Sequence, residues 1–113
     1  MLNVTLYRVV TSSELTDIVV TGEYHLEAGG VEGKHFFQSV DDAVRFARRM
    51  FHMRPEEGPY TITSITISVF TLKLFGKLAI SGEGMAWFAP EILLPLGPVD
   101  VWAYCPWERT YET

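Results

Sequence analysis

Apolar and polar residues alternate along residues 2–10, which is typical of a strand with one buried face. The apolar face carries Leu2, Val4, Leu6 and Val10. Arg8 shares that face, although a guanidinium that points into a core is costly unless another group neutralises it. The pattern therefore predicts a first strand in which Arg8 has an internal partner or a ligand.

A first helix is predicted over residues 12–21. It follows the capping-box pattern Thr11-Ser12-Ser13-Glu14, in which Thr11 accepts a hydrogen bond from the Glu14 backbone and the Glu14 carboxylate reaches back. An apolar stripe of Leu15, Ile18 and Val19 follows at helical spacing. Gly22 is suited to end the helix because glycine adopts the left-handed conformation that a C-terminal cap requires.

A second helix, over residues 40–53, has the strongest pattern in the chain. Ser39 is placed to cap it, and Asp41 lies four residues before Arg45, a spacing that favours an ion pair. The buried face is predicted to contain Val40, Ala43, Val44, Ala47, Met50 and Phe51. The opposite face is basic, with Arg45, Arg48, Arg49 and His52, and it is either a solvated surface or a surface that contacts anions.

The remaining segments predict strands and loops. Strands are expected at residues 34–38, 60–70, 85–88 and 99–104. Residues 71–80 are compatible with a strand or a short helix, and Pro90 opens a short helix over residues 90–94. The Ser- and Thr-rich face of residues 60–70 is expected to face solvent. Residues 1–113 are therefore expected to form one compact α+β domain with mixed or antiparallel sheets.

Residues 23–33 predict a loop, since they contain glycines at positions 29, 30 and 33. A plain turn is one interpretation. The other is a close approach of this glycine-containing backbone to a phosphate, although no established phosphate-binding motif is present.

Composition and charge exclude several classes of function. A formal net charge of −5 disfavours nonspecific binding to nucleic acid or to an anionic membrane. Cys105 is the one cysteine, so no internal disulfide can form and a reducing cytoplasm is the expected location. His25, His35 and His52 lack the spacing of a metal site, and no metal is expected. The apolar-rich stretch 62–80 is interrupted by polar residues and predicts no membrane span.

Aromatic residues are concentrated in the C-terminal third of the chain. They are Trp87, Trp102, Tyr104, Trp107 and Tyr111. They form either the edge of a core or a flat wall on which a base or a partner side chain stacks.

Two segments resemble small bacterial proteins with an ADP-ribosyltransferase-like fold. Residues 6–24 read LYRVVTSSELTDIVVTGEY, and residues 32–48 read EGKHFFQSVDDAVRFAR. The family pattern is a first strand that ends in Tyr-Arg, a short helix, a glycine loop, a Gly-Lys-x-Phe strand and an Asp-Ala helix. Residues 82–88, followed by Pro90-Glu91, resemble a later part of the same pattern. About half of the chain is covered.

The resemblance implies a domain that binds NAD in a cleft between two small sheets. In that family an arginine or histidine on the first strand holds the nucleotide, and Arg8 has this position. Aromatic residues on a middle strand clamp the nicotinamide, which implies a site formed by Lys34, His35, Phe36 and Phe37. A glutamate on a late strand stabilises the developing cation at the ribose.

This chain departs from the family pattern at the catalytic glutamate. It contains no Glu-x-Glu or Gln-x-Glu at the head of a C-terminal strand, no Ser-Thr-Ser and no His-Tyr-Glu set. Glu91 is the candidate catalytic carboxylate by location, and Asp100 is a second substitute. Loss of the family glutamate would remove the main electrostatic stabilisation of an oxocarbenium-like transition state. The resemblance therefore predicts nucleotide binding and leaves catalysis open.

Two other functions fit the same sequence. One is a noncatalytic bacterial or phage protein of the immunity or inhibitor type, which would act through contact with a protein partner. The other is a structural homodimer in which residues 107–111 and the strand 60–70 form an edge that pairs with a second copy.

Overall fold

The computed structural model describes residues 2–25, 33–80 and 84–101, which form an α+β domain. The strands are β1 (Asn3–Val10), β2 (Gly33–Phe36), β3 (Thr61–Ser68), β4 (Gly76–Ile80), β5 (Gly84–Pro90) and β6 (Asp100–Val101). The α-helices are α1 (Ser12–Thr21), α2 (Val40–Met53) and α3 (Val69–Leu72). Short 3-10 helices span Pro55–Glu57 and Glu91–Leu93. The predicted bounds of both main helices are confirmed.

The strands form two small sheets with the orders β1-β3-β6 and β2-β5-β4. Every strand pair in the described ranges is antiparallel. The sheets meet where Tyr7 and Phe37 exchange two backbone hydrogen bonds, with N···O distances of 2.7 and 2.6 Å. This junction brings the middle of β1 beside the end of β2.

Both faces of β1 are covered. Leu6 and Val10 lie in one hydrophobic cluster with Ile18 of α1, whereas Val9 lies in a second cluster with residues of α2. One face of residues 60–70 was predicted to be exposed to solvent. This prediction is wrong at the start of the segment, because Ile62 and Ser64 are buried. The amphipathic face of α2 packs over this side, which the local pattern of Ser and Thr did not reveal.

The helix caps follow the predicted chemistry with two differences. Thr11 accepts from the Glu14 backbone N–H, and Gly22 ends α1 with φ of 76°. The Glu14 carboxylate does not reach back, because it contacts Arg8 instead. Val19 was predicted in the buried stripe of α1, but it is 71% exposed.

In α2, Ser39 caps the helix and the predicted apolar face packs inward. The expected Asp41–Arg45 ion pair is replaced by an Asp42–Arg45 pair at a spacing of three residues. Arg48, Arg49 and the rest of the basic face are exposed. None of the helices in the described ranges has the length and apolar character that a bilayer crossing needs.

Residues 71–80 were compatible with a strand or a short helix, and the structure has both: helix α3, which begins two residues earlier at Val69, inside the predicted strand 60–70, and then strand β4. The strand predicted at residues 60–70 is central in its sheet: β1 pairs along its whole length, and β6 pairs at Thr63 and Ser64. Within the chain, β1 therefore covers one edge of the strand proposed for homodimer pairing, and β6 covers Thr63 and Ser64 on the other edge. Of the predicted last strand and aromatic tail, residues 102–113 lie outside the described residues.

Candidate functional site

Arg8 has internal partners for all three nitrogens of its guanidinium. Its Nε and Nη2 donate to the two oxygens of Glu14, both at 2.8 Å, and its Nη1 donates to the His35 carbonyl at 3.1 Å. The Arg8 and Glu14 side chains are 12% and 10% exposed. The inward position of Arg8 is therefore made possible by a bidentate ion pair, which arginine forms with particularly good geometry.

Lys34 joins the same carboxylate from the second sheet. Its Nζ lies 3.2 Å from Glu14 Oε2, and its side chain is 5% exposed. Burial alone would raise the pKa of Glu14, but the hydrogen bonds and positive charges of Arg8 and Lys34 outweigh it and hold the pKa below its ordinary value. We call Arg8, Glu14 and Lys34 the charged cluster; at neutral pH its three side chains carry a net charge of +1.

A hydrogen-bonded chain extends the charged cluster across sheet β1-β3-β6. The Thr63 hydroxyl donates to the Arg8 carbonyl at 3.0 Å, and the Tyr24 hydroxyl lies 2.6 Å from the Thr63 oxygen. Since Thr63 donates to the carbonyl, Tyr24 is the donor in the second bond. Burial raises the pKa of Tyr24, so the phenol stays protonated and keeps donating.

His35 follows Lys34 in β2 and faces the opposite side of the strand. Its ring makes edge-on contacts with Phe37 and Phe46, whose ring centroids lie 5.8 and 5.3 Å from its own. Among the described residues, its Nε2 has no hydrogen-bond partner. Burial, with the nearby charge of Arg8, lowers the pKa of His35 to about 4. The imidazole is therefore neutral at physiological pH.

The stability of the domain is expected to fall by about 2 kcal/mol between pH 7 and pH 5 because of His35. The folded protein keeps His35 neutral down to about pH 4, whereas the unfolded chain takes up a proton near pH 6.5. The unfolded state thus binds more protons in this window, and the free energy of unfolding decreases as the pH decreases. Urea unfolding at a series of pH values measures the slope.

The matched variants are His35→Phe, which removes the titrating group but keeps a ring, and His52→Gln, which changes an exposed histidine of α2. We expect the slope to disappear in the first variant and to persist in the second. The measurement stays above pH 5 because protonation of Glu14 destabilises the fold at lower pH. An unchanged slope in His35→Phe would contradict the assignment.

The structure brings Arg8 and Lys34 together on Glu14, joins the His35 carbonyl to Arg8, and leaves the His35 ring in contact with Phe37. Phe36 and Phe37 are both completely buried, in the first and second hydrophobic clusters respectively, where they stabilise the fold. Glu91 is exposed at the start of a 3-10 helix, and Asp100 is exposed in β6. Within the described ranges, no group of three metal-ligating side chains lies close enough to hold a metal ion.

Glu14 is the central residue that the sequence did not identify as part of the site. Its position three residues after Thr11 has a sufficient local explanation as a capping box. The signal that could have identified Glu14 was Arg8. An arginine on the buried face of a strand, followed by an acidic residue at the start of the next helix, suggests an ion pair between the two elements. Tyr24 and Thr63 carried no such signal.

Comparisons with protein-family models, with curated proteins and with solved structures found no match to this chain.

Proposed function

We propose that this domain binds NAD or a related nucleotide as an ADP-ribosyltransferase-like domain. The observation that carries the proposal is the convergence of two cations from different sheets, Arg8 of β1 and Lys34 of β2, on one carboxylate. The resemblance places the nucleotide-holding arginine at the position of Arg8. The two small antiparallel sheets and their junction beside Arg8 support the same interpretation.

The Glu14 carboxylate occupies the position of an anionic ligand in this cluster. It accepts two parallel hydrogen bonds from Arg8. A phosphate group can accept the same pair of hydrogen bonds from an arginine with similar geometry. A nucleotide phosphate would bind by taking over hydrogen bonds that Glu14 now accepts. Glu14 lies in the first turn of α1, so a displacement of that turn would open the cluster.

Nucleotide binding is better supported than transfer of ADP-ribose to a macromolecule. Glu91, the candidate catalytic carboxylate, is exposed. A carboxylate surrounded by water stabilises a developing positive charge much less than one in a water-excluded site. We therefore propose nucleotide binding as the primary function. Transfer of ADP-ribose is a further activity that would be detected with a suitable acceptor.

The test is an NMR titration of the labelled domain with NAD, with ADP-ribose and ATP as related ligands. Saturable shifts are expected at Arg8 and at residues 34–37. Arg8→Lys keeps the charge but loses the bidentate fork, so we expect about tenfold weaker binding. Arg48→Lys makes the same change on the exposed face of α2 and should bind as the original protein does. Absence of shifts at millimolar NAD, or equal affinity in Arg8→Lys, would contradict the proposal.

A noncatalytic protein-binding function is the second candidate. Leu2, Phe70 and Leu74 are 74%, 68% and 64% exposed. A backbone hydrogen bond of 3.2 Å from Val69 to Leu2 brings the first of them beside α3. Exposed apolar side chains that lie together are typical of surfaces that contact proteins. A protein partner whose affinity does not change in saturating NAD would favour this second function.

A further inference from the structure

A cavity of about 390 Å³ lies beside Trp87, separate in its lining residues from the charged cluster. It is lined by Gln38, Asp42, Lys77, Ala86 and Trp87, and we call it the Trp87 pocket. Four parts of the chain contribute to it: the segment after β2, the first turn of α2, and the paired strands β4 and β5. Its volume is within the range of small-molecule sites, roughly 300–1,000 Å³.

Trp87 is held in place by two polar neighbours. Its indole N–H donates to the Gln38 side-chain oxygen at 3.3 Å, and the Lys77 ammonium lies 5.0 Å from its ring centroid. Lys77 is the cross-strand neighbour of Trp87 and is exposed. An indole with a lysine ammonium at its ring suits an aromatic ligand that bears an anionic group.

Opposite charges line the same cavity. Lys77 supplies an ammonium group, whereas Asp42 supplies a carboxylate that is 29% exposed and whose Oδ1 is paired with Arg45. A ligand that contacts both groups has an anionic part for Lys77 and an N–H donor for Asp42. Trp87 in the same lining suits a ligand with a planar ring.

We propose that the Trp87 pocket binds a small planar aromatic ligand that carries an anionic group and an N–H donor. Purine mononucleotides and aromatic amino acids share this chemistry. The ring stacks on Trp87, the phosphate or carboxylate pairs with Lys77, and the amino group donates to Asp42. This inference does not depend on nucleotide binding at the charged cluster.

Phe70 and Lys73 provide an internal comparison. The Lys73 ammonium lies 5.5 Å from the Phe70 ring centroid, so this pair has the same cation–ring contact. Neither residue lines the Trp87 pocket. Lys73→Glu and Lys77→Glu thus change the net charge equally and remove the same kind of contact. Of the two, Lys77→Glu alters the lining of the Trp87 pocket and Lys73→Glu does not.

The experiment follows the Trp87 indole N–H by NMR during titration with AMP, L-tryptophan and ribose 5-phosphate, which lacks an aromatic ring. The resonance is assigned with Trp87→Phe. We expect AMP, L-tryptophan or both to shift it saturably, and ribose 5-phosphate to leave it unchanged. Lys77→Glu should weaken binding by about tenfold, while Lys73→Glu should change it by less than about twofold.

The outcomes separate the ligand classes. Binding of AMP alone identifies a nucleotide-type ligand, and binding of L-tryptophan alone identifies an amino-acid-type ligand. Equal binding of ribose 5-phosphate, equal loss in the two lysine variants, or no shift of the indole N–H overturns the inference. Shifts at Arg8 and at residues 34–37, which report the charged cluster, are read in the same spectra, so failure of nucleotide binding there is distinguishable from failure here.

Discussion

Glu14→Gln is expected to lower the free energy of unfolding by about 3–5 kcal/mol. The original carboxylate pairs with two cations and offsets one of their two positive charges, and the Arg8 and Lys34 side chains are only 12% and 5% exposed. Glutamine leaves both positive charges close together with no carboxylate between them. Removal of one member of a buried ionic group is costly because the remaining charge has lost its solvation without compensation. Urea unfolding at pH 7 measures the change.

Two other variants sharpen the interpretation of Glu14→Gln. Lys34→Met should cost less, because Arg8 still pairs with Glu14 through two hydrogen bonds. Glu57→Gln changes a more exposed acid, with 41% of its side chain exposed, and should change stability by less than about 1 kcal/mol. A cost below about 1 kcal/mol for Glu14→Gln would show that the cluster contributes little to folding.

The Glu14→Gln variant also tests the proposed nucleotide site through its effect on stability. If the charged cluster accepts oxyanions, phosphate should bind folded Glu14→Gln and raise its stability by mass action. The original protein, in which Glu14 already fills the cluster, should respond less. Equal responses of the two proteins to phosphate would argue against an anion-binding role for Arg8 and Lys34, whatever the cost of the substitution.

Gly33→Ala is expected to cost about 3 kcal/mol, the upper part of the range for overpacking a well-packed site. A Cβ at Gly33 would lie 2.3 Å from the Ala89 carbonyl oxygen and 2.6 Å from the Phe88 ring. The ring could rotate away, but the carbonyl belongs to β5, which pairs with β2 at this position. The added methyl group therefore forces the two strands apart.

Gly76→Ala is the matched control, since Gly76 is also a strand glycine beside Phe88. A Cβ at Gly76 would meet no atom closer than 3.9 Å, which is an ordinary contact. We expect its stability to remain within about 0.5 kcal/mol of the original protein. Similar losses in both variants would mean that glycine flexibility, rather than the close approach of β5, matters at Gly33.

Local pattern was sufficient for the two main helices, α1 and α2. The periodic apolar face of α2 and the capping residues Thr11 and Ser39 all act within a few residues, so the sequence displays them directly. Strand pairing joins residues far apart in the chain, such as Arg8 and Thr63, and no local signal reports it. For this reason β3 could be predicted as a strand but not as the central strand of its sheet.

The candidate site shows the same division. An inward Arg8 could be derived from alternation along β1, and its need for a partner followed from the cost of burying a charge. The choice of Glu14 and Lys34 required α1 and β2 to be folded against β1. Phe36 and Phe37 were assigned to a ligand by resemblance, and their complete burial in the two hydrophobic clusters is visible only in the folded chain.

The sequence by itself determined the α+β class, the extents of α1 and α2, and the presence of a charge on the buried face of β1. Tertiary structure alone decided how that charge is neutralised, why Gly33 is required, and where the Trp87 pocket lies. The physical reason is range: helix periodicity and capping depend on neighbouring residues, whereas ion pairs and strand contacts depend on distant segments that only the folded chain brings together.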